Sequence, residues 1–494
     1  MIMKRPVLYI AAIITLLISF SACEKYLDLE PQYTQDAENF FENPSDYERA
    51  LIGAYDLLQS AFLTSWIGEI ASDNSIAGGE SVTDTEGLHE IDEMRHDAVN
   101  TELRNIFRWN YAGVTRANYI LEHRDNIDFE GKETILAEAS FLRAYYYFEL
   151  VKYFGAVPLV VDRRLGATEV TEVDRAPVSE VYAQIEADLQ YASEILDWTN
   201  PVKGRVTKGA ALSLLGKAYL YQDKFDLAAQ TLDRVINEGP YSLFGDYAGL
   251  WTVDNENNSE TVFDVEYSGL EGGGYGCLIC LEGNAAPGFN GIRQYEGPIY
   301  GDGNSYNLPT QDLYDFFPST DPRRDITVLD IEAFIAAQPN PAAITYAEGG
   351  GGHTGFYNNK YIKRKAELGL PDNDLTSPLN YKAIRYADVL LMAAEAHNRK
   401  PAANDAQALI YVNMVRDRVN VTPIASGGSQ LTQDIWKERR LELSGEGLRF
   451  FDLVRTGEAA NEIDGFVSNK HELFPIPQVE IDLAGGNWNQ NPNY

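Results

Sequence analysis

Leu212-Ser213-Leu214-Leu215-Gly216-Lys217-Ala218-Tyr219, continued by Ala228, Leu232 and Pro240, lays down a helical hairpin. Apolar residues recur at three- and four-residue spacing over Lys208 to Tyr221 and again over Phe225 to Asn237, the period of helices that bury one stripe. Small residues at Gly216 and Ala228 stand where two such helices must touch. Pro240 follows the second helix, where it cannot continue it.

That spacing is the tetratricopeptide pattern, with Leu212 in place of its tryptophan and Leu232 in place of its phenylalanine. Tyr386 to Val419, with Leu390, Ala394 and Ala406, is a weaker copy, and Ile135 to Phe154 matches the first helix of another. The copies lie far apart in the chain. The expectation is therefore a scaffold from which irregular segments project, and not an uninterrupted solenoid.

The same periodicity predicts helices around Tyr47 to Leu58, over Ile106 to Leu121 with Trp109 in the core, and over Val178 to Ile195. From Tyr241 to about Lys365 the texture changes. Glycines cluster at 272–274 and 349–352, prolines recur, and strand signals are confined to Thr261 to Tyr267 and Tyr357 to Lys363. The fold class is mainly α: helical hairpins over about 38–240 and 380–456, a loop-rich insertion over about 241–379, and few short strands. A long irregular insertion in a folded body usually carries function.

Hydrophobic residues are 45% and charged residues 23% of the 494, ordinary globular usage. Asp plus Glu number 74 against 40 Lys plus Arg, a formal charge of -34. A surface that acidic repels phosphate backbones, so no nucleic-acid partner is expected. The N-terminus carries an address. Lys4 and Arg5 precede an apolar run from Val7 to Phe20, which reads as a secretory signal over 1–22 and is too short for a membrane span. Ser19-Phe20-Ser21-Ala22-Cys23 resembles a lipoprotein processing site, making Cys23 the expected lipidated residue, and Glu24 after it favours the outer membrane.

Nucleotide-loop, zincin and hydrolase-elbow motifs are absent, and the six histidines show no metal-ligand spacing, so no catalytic residue, cofactor or metal is expected. Asp254, Glu256 and Asn258 begin like a calcium loop but lack its glycine and terminal glutamate. Cys277 and Cys280 read as a local disulfide or as two inert thiols. Two segments combine aromatic faces with amide, acid and guanidinium groups, the mixture that stacks on sugar rings and bonds their hydroxyls. They supply the candidate contacts: Trp66, Asp73, Asn74, His89 and Arg95 around Gly78-Gly79, and Tyr275, Tyr295 and Tyr300 in the insertion.

Ordered motifs then run along nearly the whole mature chain. They include Tyr26-Leu27-Asp28-Leu29-Glu30-Pro31, Glu138-Ala139-Ser140-Phe141-Leu142-Arg143-Ala144-Tyr145-Tyr146-Tyr147, Asp321-Pro322-Arg323-Arg324, Arg385-Tyr386-Ala387-Asp388-Val389-Leu390-Leu391, Glu438-Arg439-Arg440-Leu441-Glu442-Leu443 and Arg449-Phe450-Phe451-Asp452-Leu453. With these the sequence resembles the SusD/RagB family of outer-membrane lipoproteins. The resemblance implies one domain over 23–494, a tetratricopeptide scaffold, and a non-enzymatic glycan receptor. In that picture the receptor is anchored to the outer membrane through the lipid on Cys23 and closes as a lid over a SusC-type TonB-dependent transporter. Alternatives on the same chain are a peptide-binding lid, a surface glycoside hydrolase and a purely structural lid. The family's starch binders carry a tryptophan-rich stretch where this chain has Leu88-His89-Glu90-Ile91-Asp92-Glu93-Met94-Arg95, so starch is not the expected ligand.

Overall fold

The structure, a computed structural model, describes residues 40–166, 168–270, 274–367 and 375–494. The expected signal segment, Cys23 and the opening motif at Tyr26 lie outside them. Helix α1 (Pro44–Asp56) starts on a proline whose fixed φ suits a first turn. It leads to α2 (Ala61–Ile70), buried along its whole length, and α3 (Glu86–Asp92). The Asn100 side chain accepts from the Glu102 and Leu103 N–H groups and so caps α4 (Thr101–Leu121). Then follow α5 (Lys132–Phe154), α6 (Val178–Ile195), α7 (Lys208–Leu220) and α8 (Phe225–Glu238). After the insertion, with its short α9 (Ala286–Asn290), come α10 (Tyr386–Arg399), α11 (Asp405–Arg418), α12 (Gly428–Leu443) and α13 (Arg449–Thr456).

Consecutive helices from α4 to α8 pack against one another, and α8 packs in turn on α10, which carries α11 and α12. The scaffold is thus continuous in space although the insertion interrupts it in sequence, in keeping with the expected scaffold from which irregular segments project. Gly216 shows why the pattern demands a small residue. A Cβ there would lie 2.5 Å from Leu232 Cγ, so only glycine lets α7 and α8 close.

The insertion contributes two-stranded ribbons. β1 (Ser75–Ala77) pairs antiparallel with β3 (Asn307–Pro309), β2 (Thr261–Val265) with β6 (Tyr381–Arg385), and β4 (Val328–Asp330) with β5 (Phe356–Asn358). The strand expected to reach Lys363 stops at Asn358. There the side chain accepts from Lys360 N–H at 3.1 Å, turning the chain so that Lys360 Nζ reaches Glu446 at 2.7 Å. Cys277 and Cys280 form the local disulfide.

The C-terminal helices are held by buried ion pairs. Glu442 meets Arg385 at 2.6 Å, Arg323 at 2.9 Å and also Arg418. Asp388 on α10 meets Arg439 at 2.8 Å and Lys217 of α7 at 3.3 Å, while Arg455 grips Glu395 at 2.8 Å. Burial alone would raise the Glu442 carboxyl, but the three arginines outweigh it and hold it well below the carboxylate range. For Glu395, burial is outweighed by Arg455, and its pKa falls from 4.5 to about 2. A depressed folded-state pKa contributes stability above the unfolded value, and that contribution is lost as pH falls through the folded one. The melting temperature is therefore expected to drop on acidification from about pH 4.5 towards pH 2, followed by circular dichroism. A flat profile across that window would remove the network from the stability of the fold.

Candidate functional site

The two loop-rich segments singled out in the sequence meet on one face. β1 and β3 pair Ser75 with Pro309 and Ala77 with Asn307, and the ladder runs on through Gly78 N–H to Tyr306 O at 3.1 Å and Gly79 N–H to Ser305 O at 2.9 Å. Gly78-Gly79 and the glycines of 349–352 meet at this junction. A Cβ on Gly78 would lie 2.1 Å from Ser305 O, and one on Gly349 would lie 2.2 Å from Gly79 O. Gly351 N–H in turn donates to Gly79 O, and Gly350 N–H to Glu80 O at 2.9 Å. Backbones approach here closer than any side chain permits.

An aromatic pile supports the face. Trp66 packs on Phe289 with centroids 4.5 Å apart, Phe289 on Tyr306 at 5.5 Å, and Tyr275 caps the pile 6.4 Å from Phe289. Tyr275 is 57% exposed and Tyr306 9%, so Tyr275 offers its ring to solvent and Tyr306 little more than an edge. The Tyr306 hydroxyl accepts from Asn304 Nδ2 at 3.3 Å, and its pKa is pushed up to about 12 by burial and then by the charge of Asp84. Beside it a cavity of about 230 Å³ is lined by Arg293, Gln294, Asp302, Gly303 and Asn304. Its floor is the parallel pairing of Ile292 with Asp302 and of Arg293 with Gly303, and its rim is tied by Arg293 to Glu80 at 2.9 Å. Gln294 holds a φ of +48°, a left-handed backbone that non-glycine residues adopt at a cost and that collects at binding sites. The face thus combines an exposed ring with fixed amide, acid and guanidinium groups, and acids outnumber bases on it.

The candidate contacts divide sharply. Tyr275 lies on this face, and Arg95 is exposed and paired with Glu93. The other six are built into the structure beneath or beside it. Trp66 is buried, its Nε1 donating to Asn290 Oδ1 at 3.2 Å. Asp73 is clamped by Arg449 at 2.8 Å and Arg440 at 2.9 Å, and Asn74 bonds Glu69 at 3.0 Å and Arg440 at 2.9 Å. His89 Nε2 donates to Gly78 O at 2.9 Å and so positions the glycine junction. The Tyr295 hydroxyl donates to Pro298 O at 2.9 Å and Tyr300 reaches Asn359 at 3.3 Å, both rings lying in a small core of the insertion. The six share one feature: each polar tip has an internal partner, and five of the six side chains are almost wholly buried. Glu80, Asp84, Asp302 and Asn304 were not among the candidates. For Asp302 and Asn304 the run Gly301-Asp302-Gly303-Asn304 was the available signal, polar residues set between glycines.

A profile of the SusD family matches residues 252–472, and one described as starch-binding and associating with the outer membrane matches 25–220. The fold superposes on that of a laminarin-binding SusD-like protein with a TM-score of 0.84 and 33% identity, over 92% of this chain and 100% of the other. The chain belongs to the SusD family. Surface glycan-binding protein A from Bacteroides thetaiotaomicron, solved in complex with laminarihexaose, is 25% identical at a TM-score of 0.81, with 91% of this chain and 100% of the other covered. Among curated SusD relatives, SusD-like protein P2 of Formosa agariphila is 27% identical over 515 residues, 98% of this chain and 99% of its own. Charged residues of the family motifs form the buried ion pairs: Arg323, Arg385, Asp388, Glu438, Arg439 and Glu442 are each almost wholly buried. They mark the fold and say nothing about the ligand.

Proposed function

We propose that this SusD-family chain is a glycan receptor whose ligand is a laminarin-class glucan. The observation that carries it is the exposed Tyr275 ring beside the cavity of Arg293, Gln294, Asp302 and Asn304, on a fold shared at 33% identity with a laminarin-binding protein. The ring stacks on the apolar face of a sugar, and the acids and amides accept and donate to its hydroxyls. The excess of acids on the face suits a neutral glycan and opposes sulfated or uronate chains. The receptor binds without cleaving, is held at the outer-membrane surface by lipid on Cys23, and delivers its ligand to a SusC-type TonB-dependent transporter. The tether keeps receptor and transporter at high effective concentration.

Residues 24–494 run through native gels containing laminarin, starch or a charged polysaccharide test the ligand. Retardation by laminarin is expected, and mobility unchanged in every gel would sink the reading. Stacking on one ring is worth about 0.5–1.5 kcal/mol, so Tyr275→Ala is expected to weaken laminarihexaose binding roughly 2- to 12-fold in calorimetric titration, with the melting temperature unchanged.

A further inference from the structure

A groove outside the Tyr275 face has the make-up of a binding site. Two cavities, of about 190 and about 340 Å³, both have Arg205, Asp264 and Glu266 in their walls and so run together. Trp198 and Tyr241 line the first, each half-buried, and so does Asn257, whose Nδ2 donates to Glu266 at 3.3 Å. Their combined size falls in the range of about 300–1,000 Å³ usual for small-molecule sites. The walls are fixed. Gly204 lies so close to Glu266 that a Cβ on it would be 2.5 Å from Glu266 Cγ, and Arg205 is held by Glu138 at 3.2 Å and by Glu48.

Asp264 is the decisive group. It is 3% exposed, and one oxygen accepts from Lys382 Nζ and Thr261 Oγ1, each at 3.3 Å. The other, Oδ1, has no hydrogen-bond partner. A buried carboxylate oxygen left unpaired is costly and calls for an explanation. Thr261 and Lys382 sit on the β2–β6 ribbon with Asp264 itself, so bonds within the ribbon hold this carboxylate in the wall that both cavities share. An outside donor would complete it. No cluster of metal-ligating side chains occurs among the described residues, which disfavours a metal ion as that donor. Arg205 in the same wall disfavours an organic cation. A hydroxyl group bonds an acceptor without adding charge, and two aromatic rings beside it provide faces for a C–H surface.

We propose that this groove is a second saccharide site, in which one sugar ring lies against Trp198 and its hydroxyls donate to Asp264 and Glu266. It rests on the carbohydrate reading only for its ligand class, since the groove shares no wall residue with the cavity beside Tyr275. The chain has six tryptophans, so the full mature protein labelled with fluorotryptophan gives few fluorine resonances, and Trp198→Phe assigns the one needed. Laminarihexaose is expected to shift the Trp198 resonance saturably, in the wild type and equally in Tyr275→Ala. Glu266→Ala, which leaves the Asp264–Lys382 pair intact, is expected to weaken that shift at least threefold at an unchanged melting temperature. A Trp198 resonance that stays still while laminarin gels retard the protein would overturn the second site and leave the first. A response to spermidine and not to saccharide would make the groove a cation site and equally overturn the proposal.

Discussion

Arg385→Ala is expected to cost about 3–5 kcal/mol, the effect of breaking a buried ion pair by removing one partner. Arg385 is 1% exposed and spends all five of its N–H donors. Nε and Nη2 hold the two oxygens of Glu446 at 2.8 Å each, Nη1 bridges Glu260 at 2.8 Å and Glu442 at 2.6 Å, and Nη2 also reaches Glu442 O at 2.8 Å. Removing the guanidinium leaves three buried carboxylates short of a partner in one place. Arg385→Lys is expected to restore little, because a single ammonium cannot replace the planar fork. Differential scanning calorimetry reads both variants. A lysine variant as stable as the wild type would mean that charge alone, and not the fork, holds the insertion to α12.

Trp66→Ala is the second large effect, again about 3–5 kcal/mol, the usual cost of emptying a buried aromatic site. Trp66 is 4% exposed and touches Phe62, Phe289 and Tyr306 at centroid separations of 5.4, 4.5 and 6.0 Å. Its Nε1 bond to Asn290 matters beyond packing, because Asn290 Nδ2 donates onward to Tyr361 O at 3.0 Å and ties α9 to the chain after β5. Loss of the indole removes the support under Phe289 and Tyr306, so ligand binding is expected to fall together with stability. Trp66→Phe keeps most of the volume and loses the hydrogen bond, and should recover more than half of the loss. Urea unfolding midpoints separate the cases. An alanine variant that binds weakly but unfolds at the wild-type midpoint would return Trp66 to the binding surface, where its sequence context first placed it.

Trp66 and Tyr275 show how far the sequence carries. Both are aromatic residues in polar, glycine-containing surroundings, and both read as rings for a sugar. One ended at the bottom of the pile and the other at its top. Periodicity does not separate them, because a ring's exposure depends on Phe289, 223 positions after Trp66 in the numbering and next to it in space. The glycines were easier to read as special than to explain. Gly78-Gly79 and 349–352 looked like two loops and turned out to be the two sides of one backbone contact.

Local pattern was enough for the helices. Val178–Ile195 has the bounds that its periodicity predicts, and the hairpin of α7 and α8 follows Leu212, Gly216 and Leu232 within a residue at each end, because a helix is closed by neighbours three and four positions away. The resemblance carried by the ordered motifs named the family for the same reason that those residues are hard to place by pattern. They are charged and buried. A charge enters a core only when paired, and the partners of Arg385 are 125, 57 and 61 residues distant, so composition reads them as surface until the tertiary structure brings them together. The sequence by itself determined the helical scaffold, its repeats and its family. The tertiary structure alone decided which aromatic faces water and which charges are buried, since exposure is set by contacts between segments that no local pattern records.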